Sequence, residues 1–122
     1  MTLYLGLDLG TTGCKAGVFT VDGRLIATAY RECSVKCPAS GLVEQDVEEV
    51  WSAARSVVCE ATAAAAVAGF DAGEMKALSV SVQGDAVIPV DAEGNPLGPA
   101  ILGMDRRNLA EVEELAAAVG RE

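Results

Sequence analysis

The chain has 122 residues and a formal net charge of −9; 51% of its residues are hydrophobic and 22% charged. That length carries one compact domain with a core of its own, and that composition excludes a disordered chain. With no basic stripe to displace counterions, the charge also argues against a nucleic-acid binder.

No apolar run reaches the length of a membrane span, and the N-terminus lacks a basic region followed by an apolar block and a cleavage site. The expectation is a soluble, cytoplasmic protein without a membrane partner. There is no histidine, and the four cysteines are Cys14, Cys33, Cys37 and Cys59. A zinc site asks for CxxC pairs or Cys/His sets, and Cys33 and Cys37 form only one looser pair, so reduced and incidental thiols are expected. Without histidine there is no Ser–His or Cys–His nucleophile, and acid–base chemistry falls to carboxylates or lysine.

In chain order, Leu3, Leu5, Leu7 and Leu9 alternate with Tyr4, Gly6 and Asp8. This is the period of a half-buried strand, with Asp8 near its end on the face opposite the leucines. Gly10, Thr11, Thr12 and Gly13 supply permissive residues for a tight reversal, and Ala16 to Val21 reads as the returning strand. Backbone N–H groups of such a turn can converge on an anion, with Thr hydroxyls as further donors and Lys15 as a cation. Asp8 could hold a hydrated divalent cation. Together these are the parts of a nucleotide phosphate site, although they match neither the GK[ST] helix-opening loop nor the GxGxxG fingerprint.

Asp22-Gly23 is a two-residue turn signal, and Leu25 to Cys33 reads as a third strand, completing an antiparallel meander. Ser34 to Gly41, with Pro38, reads as a loop. Asp46 with Glu49 is an Asp variant of the capping box. The helix it opens carries Val47, Val50, Trp51, Ala54, Val57, Val58, Ala61, Ala65 and Ala68 at helical spacing and stops near Gly69. Trp51 is expected in the core. Met75 to Val82 reads as a short buried strand, Ala86 to Val90 as another, Asp91 to Asn95 as a hairpin loop, and Leu97 to Leu102 as a return. A second helix spans Asn108 to Val119, with Leu109, Val112, Leu115, Ala116 and Val119 on one face and Gly120 as its stop.

Three strands, helix, strand, hairpin and helix predict an α/β domain with a mixed sheet and helices on its faces. Polar residues gather where apolar strands stop: Asp8 after the first, Gln83 and Asp85 after the fourth, Asp105 and Arg107 after the last. Strand ends are where such sheets place ligands.

DLGTTGCK (Asp8 to Lys15), GLVEQDVEEVW (Gly41 to Trp51), SVSVQGDAVIPVD (Ser79 to Asp91) and GMDRRN (Gly103 to Asn108) stand in order through nearly the whole chain. In this they resemble the start of an FGGY-family carbohydrate kinase, the group containing xylulose, glycerol and gluconate kinases. The resemblance implies an actin-like, ribonuclease-H-like fold of which this chain is the N-terminal portion of the first domain. It also implies ATP-dependent phosphorylation of a sugar or polyol hydroxyl, most simply a pentulose such as xylulose, with ATP and Mg2+ as cofactors.

Carried over residue by residue, Asp8 faces the magnesium–phosphate region. Gly10, Thr11, Thr12, Gly13 and Lys15 bind phosphate, and Gln83, Asp85, Asp105 and Arg107 lie near the substrate. No residue of this chain takes the place of the general base, an aspartate expected beyond residue 122. A homodimer is left open.

Two features depart from the family pattern. Gly103 stands where a Trp is usual, and Gln83-Gly84-Asp85 matches neither the Gln-Arg-Glu of glycerol kinases nor the Gln-Met-His-Gly of xylulose kinases. Two alternatives stand beside the kinase. A non-catalytic ATP-binding or regulatory module of the actin-like superfamily would keep the turn and lack the sugar site. A purely structural α/β domain would be indifferent to Asp8→Ala and Thr12→Ala.

Overall fold

The computed structural model describes residues 1–120. The alternating leucines form β1 (Leu3–Leu9), which the Gly10–Gly13 reversal joins to β2 (Gly13–Thr20). The strands pair antiparallel, with Asp8 opposite Lys15 and Leu9 opposite Cys14. Gly23, at φ 83, closes the next turn, and β3 (Leu25–Glu32) returns along β2. The meander is as expected from the sequence.

After β3 a small second sheet forms from β4 (Val35–Lys36), β5 (Glu44–Gln45) and β7 (Ala100–Ile101), with β5 central. Between β5 and the next strand of the main sheet runs α1 (Val47–Val67). Asp46 caps it, its Oδ1 accepting from the N–H groups of Glu48 and Glu49 at 3.0 and 3.3 Å. Glu49 does not complete the box; its carboxylate accepts from Ser34 N–H at 2.7 Å instead and ties the preceding loop to the helix. β6 (Met75–Val82) then lies parallel to β1, giving the main sheet the order β3-β2-β1-β6. This is the mixed sheet expected. The last element among the described residues is α2 (Leu109–Val119), stopped by Gly120 at φ 84.

α1 packs on one face of β2 and β3. Leu3, Leu5, Cys14, Ala16, Val18, Ala27 and Cys33 meet Ala54, Val57, Ala61 and Ala65 there to form the core. The alanines let the helix lie close to the sheet, and burial of this apolar surface is the main stabilising term.

Four expectations are corrected. Trp51 is 60% exposed rather than in the core. The buried stripe of α1 runs through Ala54, Val57, Ala61 and Ala65 with Val50 packed against it, and one residue beyond Val50 is a turn of about 100° away from that stripe. β6 forms as expected but is not buried: Leu78, Val80 and Val82 are exposed because α1 does not reach across to them. Ala86 to Val90 is not a strand. It holds only single bridges, Val87 to Ile101 and Val90 to Pro96, and of Leu97 to Leu102 only Ala100–Ile101 is extended pairing. Pro89, Pro96 and Pro99 supply no N–H to a ladder, so pairing cannot propagate. No helix among the described residues is long and apolar enough to cross a membrane.

Candidate phosphate and acceptor site

The β1–β2 reversal is built tightly. Gly10 N–H donates to Gly13 C=O at 2.9 Å. Behind it, Thr12 C=O accepts from Cys33 N–H at 3.0 Å and from the Tyr30 hydroxyl at 3.2 Å. Gly13 has no room for a side chain: a Cβ there would fall 2.5 Å from Arg31 C=O and 2.6 Å from the Tyr30 hydroxyl. Glycine is required here by the close approach of β3, not by its φ.

The N–H groups of Thr11 and Thr12 have no acceptor among the described residues. Asp8 and Lys15 face each other across the strands on the sheet face opposite α1, both exposed. Neither forms an ion pair or hydrogen bond among the described residues. One turn thus carries two unpaired amides, and the strands that lead into it carry a free ammonium and a free carboxylate. Such donors suit a phosphate, and a single carboxylate suits a Mg2+ ion that keeps water and phosphate oxygens as its other ligands.

Thr11 is held differently from Thr12. Its hydroxyl donates to Gln83 Oε1 at 2.7 Å. Gln83 Nε2 donates to Gln45 Oε1 at 2.6 Å, and Gln45 Nε2 donates to Thr11 C=O at 2.6 Å. Gln83 N–H also donates to Leu9 C=O at 2.9 Å. The structure therefore brings Gln83 to the Gly10–Gly13 turn itself, and leaves Thr12 with the uncommitted hydroxyl.

Asp105 and Arg107 come together a short way along, beside β5. Asp105 Oδ2 accepts from Val43 N–H at 2.6 Å and from the Arg107 guanidinium at 2.9 Å. Its Oδ1 accepts from Arg107 N–H at 2.9 Å and from Arg107 Nε at 2.8 Å. Arg107 also reaches Glu44 Oε1 at 2.6 Å. The guanidinium holds the Asp105 carboxyl well below the usual carboxylate range, and the two carboxylates hold Arg107 charged beyond its ordinary value. With four donors on its two oxygens Asp105 is fully occupied, so it fixes Arg107 and does not itself present a free carboxylate.

Asp85 stands apart from that pair. It has a left-handed backbone, φ 62, which aspartate tolerates better than most residues. A Cβ on Gly103 would lie 2.9 Å from its Cβ. The two departures from the family pattern are therefore one contact: with Asp85 in this conformation, position 103 has no space for a side chain. Gly84, by contrast, opens onto empty space.

Buried beneath the turn, the Cys14 and Cys33 thiols lie 3.8 Å apart, and both are free, as are the exposed Cys37 and Cys59. Burial, then the hydrogen bond with Cys33, pushes the Cys14 thiol up to about 12. Gln45 and Glu44 are the residues that sequence reasoning missed. Both lie in GLVEQD, a stretch noticed only for its pattern; nothing local marks a glutamine there as the neighbour of Thr11 and Gln83.

A family model described as the FGGY family of carbohydrate kinases, N-terminal domain, matches residues 3–122. A glycerol kinase of Acinetobacter baylyi is 41% identical over 108 residues, covering 88% of this chain and 21% of that protein. A glycerol kinase of Haloferax volcanii is 36% identical over 116 residues, 93% of this chain and 22% of that protein. Among solved structures, a xylulose kinase from Rhodospirillum rubrum superposes with a TM-score of 0.85 at 30% identity, over 96% of this chain and 23% of that one. The chain thus spans about a fifth of the length of the curated relatives it matches. The mixed sheet with its helices is part of the actin-like, ribonuclease-H-like architecture of those kinases, as expected. This chain belongs to the FGGY family of carbohydrate kinases.

Proposed function

We propose that the full-length protein transfers the γ-phosphoryl group of ATP to a hydroxyl of a sugar or polyol, and that a pentulose such as xylulose is its acceptor. The present chain is then the N-terminal part of the first of two kinase domains, carrying the phosphate turn and the sugar-side strands. The observation that carries this reading is the β1–β2 turn with two unpaired N–H groups at its tip and with Asp8 and Lys15 paired across the strands that lead into it. Phosphoryl transfer asks chiefly for alignment and charge neutralisation, and these groups supply both.

In this reading the N–H groups of Thr11 and Thr12, with Lys15, hold the transferring phosphate, Gly10 allows the backbone to approach it, and Gly13 lets the turn pack against β3. Asp8 holds Mg2+, which when bound neutralises charge on the phosphate oxygens. Asp85 and Arg107 face the acceptor, Asp105 keeps Arg107 in place, and Gln83, bonded to Thr11 and Gln45, links the acceptor side to the turn. The general base comes from chain beyond residue 122. The open space at Gly84 leaves room for an acceptor larger than glycerol. The names of the curated relatives favour glycerol as a second reading.

An assay of ADP release by the full-length protein, run over ketoses, polyols and aldonates, tests this. Turnover with a pentulose is expected, and turnover with glycerol alone would install the second reading. ATP binding without turnover on any acceptor would favour a non-catalytic module instead. The purified 122-residue chain is expected to show no turnover above a matched blank.

A further inference from the structure

Gln45 is 1% exposed, one of the largest fully buried side chains of the chain. A buried amide is costly unless its donors and acceptors are paired, and Gln45 is paired with residues far away in sequence. Its partners, Thr11 and Gln83, lie 34 and 38 positions away. With the Thr11 hydroxyl donating to Gln83, three side chains and one carbonyl close a ring between the phosphate turn, the strand before α1 and the end of β6.

The ring has one sense. A backbone carbonyl only accepts, so Gln45 must present its Nε2 to Thr11 C=O and its Oε1 to Gln83; Gln83 must then turn its Oε1 to the Thr11 hydroxyl. There is no cis peptide bond among the described residues. In a planar trans peptide the carbonyl and the following N–H point in opposite directions. Because Gln45 draws Thr11 C=O toward the interior, the N–H of Thr12 is aimed outward, where it has no protein acceptor. From this we infer that Gln45 is a positioning residue: it fixes the Thr11–Thr12 peptide so that the Thr12 N–H faces the transferring phosphate, and it ties that aim to Gln83 on the acceptor side.

The inference rests on the kinase reading and is tested in the full-length enzyme with Gln45→Glu, which keeps the side chain's shape. A carboxylate can still accept from Gln83 but cannot donate to Thr11 C=O. At neutral pH kcat is expected to fall by about tenfold or more with the acceptor KM within about twofold, the signature of a lost transition-state contact. Burial raises a carboxyl's pKa, so the protonated form, which donates again, should restore the ratio of variant to wild-type kcat as pH falls from about 9 to about 6. A merely structural role predicts no such recovery.

If Gln45→Glu does not fold, Thr11→Val carries the test. It opens the same ring at the half-buried turn and should lower kcat in the same selective way. Where both fold, the double variant should be no worse than the poorer single one, since both break one ring. Wild-type kcat and pH profile in Gln45→Glu, or in Thr11→Val where that is the variant that folds, overturn the inference and leave the kinase reading standing. A wild-type protein that transfers no phosphoryl group to any acceptor removes the ground of both.

Discussion

Helices α1 and α2 both carry apolar residues at helical spacing, yet they meet different fates. α1 buries Ala54, Val57, Ala61 and Ala65 against the sheet, whereas Leu109, Val112, Leu115 and Val119 of α2 all remain exposed. The same division runs through the sheet: β2 and β3 are closed by α1, while β6 shows Leu78, Val80 and Val82 to solvent. An amphipathic stripe states that a face needs cover; it does not state that the cover lies in the same stretch of chain. The Gly10–Gly13 turn belongs to the closed half, braced from behind by Tyr30, Cys33 and Gln45. Asp85 belongs to the open half, exposed and held by a loop that carries only single bridges.

The largest expected effects separate these halves by function. In the full-length protein Asp8→Asn should lower kcat by about a hundredfold while the acceptor KM moves less than about twofold. Asp85→Ala should do the converse, raising the acceptor KM by about tenfold with kcat largely kept, because a polyhydroxylated ligand loses a directed partner. Steady-state kinetics with the two effects exchanged would reverse the role assignment.

Stability gives the next contrast. In urea titrations of this chain, Val57→Ala should cost about 2 kcal/mol, since it removes buried methyl groups and leaves a cavity. Leu115→Ala should stay within about 0.5 kcal/mol, as a surface substitution does. Equal costs would mean that α2 is covered after all.

The Asp105–Arg107 clamp supplies a pH-dependent contrast. The Asp105 carboxyl is lowered in the folded state, so its stabilisation is present above the unfolded value of about 3.9 and is lost as pH falls from there toward the folded value. The stability gap between wild type and Asp105→Asn should therefore be constant from about pH 7 to about pH 5 and narrow below about pH 4. A gap that widens in acid would contradict the clamp.

The smallest effect is chemical. Cys37 and Cys59 should alkylate in the folded chain, and Cys14 and Cys33 only after denaturant, because they are buried and Cys14 is held protonated. Mass spectrometry of the labelled protein reads this directly.

What the sequence made legible was local. Alternating Leu3 to Leu9, the turn at Gly10 to Gly13, Asp46 as a cap and Gly120 as a stop each carry their structure in a few neighbouring residues, and each is found in place. What it hid was set by partners distant in the chain. Trp51 satisfies the helical period, but the position of the sheet decides which part of α1 is covered. Gln45 sits among Glu44 and Asp46 like any loop amide until folding places it between Thr11 and Gln83. Asp105 reads as a free acidic group until four donors from Val43 and Arg107 fill it. Gly103 reads as a missing wall until Asp85 is found in the space.

The most direct measurement is the fate of the γ-phosphoryl group. The full-length protein would be incubated with γ-labelled ATP, Mg2+ and a pentulose, beside the Asp8→Asn variant. The account predicts label on a hydroxyl of the sugar with wild type and little with Asp8→Asn. Label passing only to water, or remaining on bound ATP whatever acceptor is supplied, would contradict it.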